Sequence, residues 1–459
     1  MNRQEKQDMM LNAPIPGIIV RMAIPTIISM LVTSVYNMAD TFFIGKMNSV
    51  SATASIGIAF PLMSIIQAIG FFFGHGSGNA ISRHLGANNG ESATVLASCG
   101  FYTALFSGFA IMILGEAFLE PIARMLGSTE TILPYAKEYL SIIFIGAPYM
   151  TAAFVLNNQM RFQGSAFYSM VGIASGGILN IFLDPLFIFK FGMGVTGAAL
   201  ATIISQFVSF VLLLIGIKRS GCVSFKIKHL KKLPLQIGEI CRGGLPSLCR
   251  QGLASVANAC LNIAAKPFGD AAIAAMTVVS RITMFANSAM IGFGQGFQPV
   301  CGFNYGAKNR KRVEEAFWFS VKVITASLIV VAFLGIVFSG SLVYMFNHDT
   351  EVVSIGTLAL TLQCIVMPLN GWVTINNMMF QTCGRTWPAT ILASARQGLF
   401  FAPAVLILPL FLGILGIQSS QMIADAATFL TALYLNKKYM PRMFNGWETD
   451  KCEICEKTE

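Results

Sequence analysis

Two polar side chains interrupt an otherwise apolar run at 176–189, Asn180 and Asp184. They stand four residues apart, so a helix places them on one face. Pro185 follows at once and has no N–H to give, so the helix is expected to kink there and leave the Ile181 carbonyl without its helical partner. A carboxylate, an amide and a freed carbonyl then gather within about one turn. An ionised carboxylate is costly in lipid, so such a group faces a cavity and carries function. The chemistry that fits is reversible binding of H⁺ or Na⁺. A second carboxylate, Asp40, shares a helix face with Thr33, Tyr36 and Asn37. Thr202 and Gln206 stand four apart on a later helix. The bland readings are a polar pair joining helices for Asn180 and Asp184, a hydrated interfacial position for Asp40 (Lys46 is six residues on), and helix-packing hydrogen bonds for Thr202 and Gln206.

The elements that hold these groups follow from composition. The chain has 459 residues, 55% of them hydrophobic and only 11% charged; a soluble protein averages about 25% charged. Apolar runs long enough to cross the roughly 30 Å of hydrocarbon recur throughout. Spans are expected near 16–44, 52–82, 92–115, 133–156, 166–190, 194–217, 238–265, 271–300, 313–339, 352–379, 388–411 and 415–436. These make a multi-pass, all-α membrane protein of twelve helices. Met1–Ala13 is polar and the first apolar run is too long for a cleavable signal. The formal charge of +10 does not point to nucleic acid, because the basic residues fall in loops without interleaved aromatics. Lys and Arg crowd one set of loops, with 21 there against 5 on the other side, so both termini are expected in the cytoplasm. The longest such loop, Lys218–Pro234, carries Lys226, Lys228, Lys231 and Lys232, a positive-inside anchor or a dock for anionic lipid.

The chain then repeats itself. Ala23-Ile-Pro-Thr answers to Gly244-Leu-Pro-Ser, Leu85-Gly-Ala-Asn-Asn-Gly to Tyr305-Gly-Ala-Lys-Asn-Arg, and Asn158-Gln-Met-Arg-Phe-Gln to Asn376-Asn-Met-Met-Phe-Gln. Asp184-Pro185 lines up with Ala402-Pro403. The offset stays between 218 and 221, so six helices are duplicated in one orientation, a transporter architecture with substrate between the halves. The expected organisation is an N-terminal lobe at 1–217, a cytoplasmic linker at 218–237, a C-terminal lobe at 238–436 and a cytoplasmic tail at 437–459. Asp40 aligns with Leu261 and Asp184 with Ala402, which places one ion site in the first lobe only.

Other features weigh less. Arg250, Arg281, Arg396 and Asp425 are the remaining deep charges, and Arg250 or Arg396 is expected to pair with Asp425 as a structural pair; the alternative is a second-lobe relay. Methionines such as Met30, Met63, Met170, Met284 and Met290 suit a promiscuous pocket, though ordinary packing accounts for such a stripe as well. The tail carries Cys452-Glu-Ile-Cys455, which lacks the second pair a zinc site needs. No H-E-x-x-H, G-x-S-x-G or Walker lysine is present, so an enzyme is not expected and the energy must come from an ion gradient.

The chain resembles the multidrug and toxic compound extrusion (MATE) family over essentially its whole length. The resemblance rests on the paired six-helix halves, Pro25, Asn37-Met-Ala-Asp40-Thr-Phe-Phe-Ile-Gly45, the Gly-Ala-Asn-Asn-Gly-Glu turn, and Leu183-Asp184-Pro-Leu-Phe-Ile-Phe189, which is similar to the DinF-like and MepA-like bacterial branch. It implies two pseudo-symmetric lobes and a secondary antiporter that expels cationic or amphipathic drugs from a bacterial cytoplasmic (inner) membrane. It implies H⁺ and/or Na⁺ coupling at Asp40, Asp184, Asn180, Thr202 and Tyr36, and a helix-1 hinge at Pro25. Asn37, Asn157, Gln206 and the methionines named above would line the substrate pocket. No cofactor, and no metal beyond possible Na⁺, is implied. The partners would be small molecules and membrane lipid, for a chain acting as a monomer. The chain departs from the NorM-like branch: helices 7 and 10 carry Arg250, Gln251 and Asn370 where that branch keeps acidic residues. The alternative is a lipid or polysaccharide flippase of the same superfamily.

Overall fold

A computed structural model describes residues 3–47, 50–220 and 223–445; Cys452 and Cys455 lie outside them. Twelve long helices account for most of the described chain. In the first half they are α1 (Ile15–Gly45), α2 (Val50–Gly86), α3 (Gly90–Ala117), α4 (Leu133–Phe162), α5 (Ala166–Lys190) and α6 (Gly194–Ser220). In the second they are α7 (Leu233–Ala265), α8 (Asp270–Gly306), α9 (Arg310–Val337), α10 (Thr350–Thr382), α11 (Thr386–Leu412) and α12 (Ile414–Met443). Ten of these are long and apolar enough to cross a membrane by length and composition. The exceptions, α7 and α12, have the length, at 33 and 30 residues, but carry Glu239, Arg242 and Arg250, or Asp425, Lys437 and Lys438.

The duplication reaches single backbone angles. After α2, Asn88 takes φ 58° and Asn89 caps α3 by accepting from the Ser92 N–H at 3.1 Å; after α8, Lys308 takes φ 55° and Asn309 caps α9 by accepting from the Arg312 N–H at 3.3 Å. Asn suits the left-handed region and the cap because its short amide bonds nearby backbone. Short helices follow at matching places, Leu119–Met125 after α3 and Ser339–Phe346 after α9. Helix α5 does not simply kink at Pro185. It continues through the proline and widens into a π turn at Leu186–Lys190, which absorbs the missing donor by shifting the hydrogen-bond register.

Across the seam between the halves, α1 packs on α8 and α2 on both α7 and α8. The approach is close enough to need glycine. A Cβ on Gly86 would sit 2.0 Å from the Phe303 carbonyl oxygen, and one on Gly306 would sit 1.9 Å from that of Arg83. Gly76 meets the Ile240 carbonyl and Gly244 the Phe72 carbonyl in the same reciprocal way, at 2.1 and 2.2 Å. Such mutual pairs are what a pseudo-two-fold axis between duplicated halves produces. These approaches gather where α2 and α8 end. There Arg83 binds Glu239 at 2.6 Å and donates to the Thr382 carbonyl at 2.6 Å, while the Thr382 hydroxyl donates to Asn79 at 2.9 Å.

The polar leader is itself a helix, Arg3–Asn12, laid across the same end. Lys6 donates to Ser165 Oγ at 2.6 Å and to the Ser220 carbonyl on the first half. Asn304 and Arg312 of the second half donate to the Met10 and Ala13 carbonyls at 3.2 and 2.6 Å.

Replacing Gly76 by Val should wedge this end apart. Spin labels at Ala87 and Ala307, both exposed, are expected to report a longer separation in the variant. An unchanged distance distribution would show that the seam yields without opening.

Candidate cation site

The first lobe brings its two aspartates together because α5 crosses α1 at a glycine pair. A Cβ on Gly177 would stand 3.0 Å from Tyr36 Cδ1 and 3.2 Å from Val32 Cγ1, and one on Gly176 would stand 2.9 Å from the Ser205 carbonyl of α6. Two turns further along α5, Asp184 therefore meets the far half of α1. Its carboxylate and that of Asp40 lie within interacting distance of each other. Asp184 is wholly buried and Asn180 is 4% exposed. The Asn180 amide donates to Asp184 Oδ1 at 3.2 Å. Of the other carboxylate oxygens, Asp184 Oδ2 and Asp40 Oδ1 are buried and have no hydrogen-bond donor.

Two carboxylates this close, in apolar surroundings, cannot both stay ionised without a positive charge between them. The residues present fit a small hard cation. Orphaned carboxylate oxygens are the ligands Na⁺ prefers and the acceptors a proton needs. Thr202 of α6 is buried and donates to its own helix, to the Ala198 carbonyl at 3.0 Å. Tyr36 lies within electrostatic reach of Asp40. Among the described residues no cluster of three or more His, Cys, Asp or Glu exists to hold a transition metal.

Tyr139 of α4 belongs to this group and is not evident from the sequence. It is 1% exposed, lies within electrostatic reach of Asp40 and Asp184 and near Thr202, and donates to Met63 Sδ at 3.6 Å. A tyrosine one turn into a span reads as an interfacial anchor, and its spacing from Lys137 and Glu138 supports that reading. Only the packing of α4 on α6 turns it inward.

The remaining pocket candidates differ in burial and partners. Asn157 is buried and ties α4 to α5 by donating to Ser169 Oγ at 2.7 Å. Asn37 and Met284 are exposed, and Met290 is buried under the Thr374 hydroxyl of α10 at 3.4 Å. Met30, Met63, Met170 and Gln206 are half-buried. Pro25 stands inside α1, which runs unbroken from Ile15 to Gly45.

The second lobe holds a contrasting carboxylate. Arg396 donates to Asp425 Oδ1 at 2.9 Å, Gln421 to the same oxygen at 2.8 Å, and Asn370 to Oδ2 at 2.7 Å. Of the two arginines expected to compete for Asp425, Arg396 takes it. That carboxylate is neutralised and hydrogen-bonded on both oxygens, so it has no place for a coupling ion.

The chain matches the MatE family twice, over residues 25–186 and 246–407. It is 29% identical to the multidrug export protein MepA of Staphylococcus haemolyticus, over 90% of this chain and 91% of that protein. It also superposes on crystal structures of MATE in the straight and bent conformations, each with a TM-score of 0.89 and 26% identity. The first covers 95% of this chain and 98% of that one, the second 96% and 99%.

The two carboxylates should respond oppositely when neutralised. Asp425→Asn strips a buried arginine of its partner and is expected to cost about 3–5 kcal/mol. Asp184→Asn removes an uncompensated charge and should leave stability equal or higher. Thermal unfolding of both variants in detergent checks the difference; a loss at Asp184 as large as that at Asp425 would contradict it.

Proposed function

Because the chain belongs to the MatE family, we propose that it is a secondary active antiporter that exports cationic or amphipathic small molecules, driven by H⁺ or Na⁺ entering through the Asp40–Asp184 site. It is a multi-pass membrane transporter, not an enzyme. The observation that supports the coupling is the pair of buried acceptor oxygens on two neighbouring carboxylates, in contrast to the second-lobe carboxylate Asp425, both of whose oxygens accept hydrogen bonds.

In this reading Asp184 and Asp40 bind the cation, Asn180 orients Asp184, and Thr202, Tyr36 and Tyr139 close the pocket around them. Occupancy changes the charge between α1 and α5. Helix α1 is also a seam helix: Thr26 donates to the Gly292 carbonyl at 2.7 Å and Ser34 bonds Ser288 at 2.7 Å on α8. A change in the shape of α1 at Pro25 is thus felt across the lobes, and relatives of this fold exist in straight and bent forms. Substrate leaves as the lobes rock between openings.

The lobes of this mechanism are 1–217 and 238–436, joined by a linker at 218–237, with 437–459 as tail. Lys226, Lys228, Lys231 and Lys232 of the linker are all exposed, as a cytoplasmic surface near anionic lipid would have them. Both termini are then cytoplasmic, and the closed end faces the cytoplasm, which makes this an outward-facing state. The membrane is the bacterial cytoplasmic membrane, as the staphylococcal relative suggests. One chain carries both lobes and the site, so a monomer suffices.

Export of a fluorescent cation into everted vesicles, with a proton gradient or with Na⁺ at fixed pH, tests the proposal. Wild type is expected to export under one or both, and Asp184→Asn and Asp40→Asn to lose coupled export by about tenfold or more. Export by Asp184→Asn at the wild-type rate would overturn the assignment.

A further inference from the structure

Two arginines, Arg161 and Arg250, lie within electrostatic reach of each other near the seam, and among the described residues neither is ion-paired to a carboxylate. Arg161 on α4 is 1% exposed. Its guanidinium donates to Gln295 Oε1 across the seam and to Asn158 Oδ1 at 2.8 Å, and it faces His75 Nε2 at 3.2 Å, while its Nε–H has no acceptor. Arg250 on α7 lies within electrostatic reach of both Arg161 and His75. It is only partly buried, and it makes no hydrogen bond or ion pair among the described residues. The next residue along, Gln251, bridges to Gln67 of α2 at 3.1 Å, so this turn of α7 faces the other lobe and not lipid. On α8 the amide of Gln298, 1% exposed, has neither its donor nor its acceptor used.

A buried cation in a membrane protein is ordinarily neutralised. The same chain does so at Arg396, whose guanidinium is matched to Asp425. An isolated charge at mid-span, where Arg250 stands on α7, costs about 2.5–3.5 kcal/mol even on the mildest scale. Two cations within electrostatic reach repel, so a merely structural role would favour losing one of them. What the pair supplies is a field for an anion, with guanidinium N–H groups in the planar geometry that carboxylates accept. The position between α2, α4, α7 and α8 is where the two lobes meet, the place such folds hold substrate.

We propose that Arg250, with Arg161 behind it, binds the carboxylate of the exported compound, so that the carrier favours zwitterionic amphipaths over simple cations. This rests on the export reading for its direction of transport. Recognition of the anionic group itself does not depend on that reading. The cationic part of such a compound would be met elsewhere in the cleft.

Rhodamine 110 and rhodamine 123 are the acid and methyl ester of one dye and test the proposal directly. Fluorescence anisotropy with the full-length protein in detergent should show wild type binding the acid about tenfold tighter than the ester, the discrimination expected for one charge-assisted contact. Arg250→Gln should bring that ratio to about one, and Arg250→Lys, which keeps the charge, should recover part of it. Equal affinities in wild type would overturn the proposal. So would a ratio unchanged in Arg250→Gln, or equal weakening for both dyes in both variants, which would mark the arginine as structural. Everted-vesicle uptake of rhodamine 123 separates the two ideas. No export with the binding ratio intact would remove the transport reading alone, and export with equal affinities would remove the anion site alone.

Discussion

An unneutralised charge in an apolar surround must be matched, hydrated or made to do something, and this molecule shows all three answers. Asp425 is matched: an arginine, an asparagine and a glutamine satisfy both its oxygens. The surface pairs at Arg124 with Glu120 and Glu130 are hydrated and contribute little. Asp40 and Asp184 are neither. Both carry a buried acceptor oxygen with no donor, and the helices that carry them are the two that cross at Gly177. The remainder of the first lobe is consistent with keeping that pair dry and close.

The location of the pair gives it leverage. Helix α1 is bound on one side to α5, which holds Asp184, and on the other to α8 in the second lobe. In the proposed mechanism a cation at that contact would act on the seam without an intermediary. The seam is itself tight at one end, where glycines let backbones touch and Arg83 is fastened to Glu239 and to α10. The leading helix Arg3–Asn12 adds ties to both halves at that end. Under the proposed rocking mechanism this end has to open, and its contacts are mostly single hydrogen bonds and van der Waals approaches. These are individually small terms that a coupling ion could offset.

Much of this was legible in the sequence for a simple reason: charges are scarce in spans, so each one stands out. The two aspartates, their absence from the second half, the duplication and its offset all come from reading such exceptions. The duplication proves deeper than its motifs, since even the left-handed residues Asn88 and Lys308 correspond. What stayed hidden depends on which way a side chain turns. Tyr139 looks interfacial until α4 packs on α6. Arg161 follows a run of buried polar residues at the end of α4 that the periodicity of a span does not distinguish from a loop-facing end. The choice between Arg250 and Arg396 as partner of Asp425 is a matter of distance across helices, which spacing along the chain cannot supply. Pro185 was evident as a perturbation, but its form as a π turn depends on the whole helix adjusting.

The central claim is that the facing aspartates hold a cation. Purified protein in weakly buffered detergent, supplied with Na⁺ or taken through a small pH step, allows bound Na⁺ and exchanged protons to be counted against the Asp40→Asn, Asp184→Asn double variant. The account predicts close to one cation, as H⁺ or Na⁺, that wild type binds and the double variant does not. Identical counts in the two proteins would contradict it.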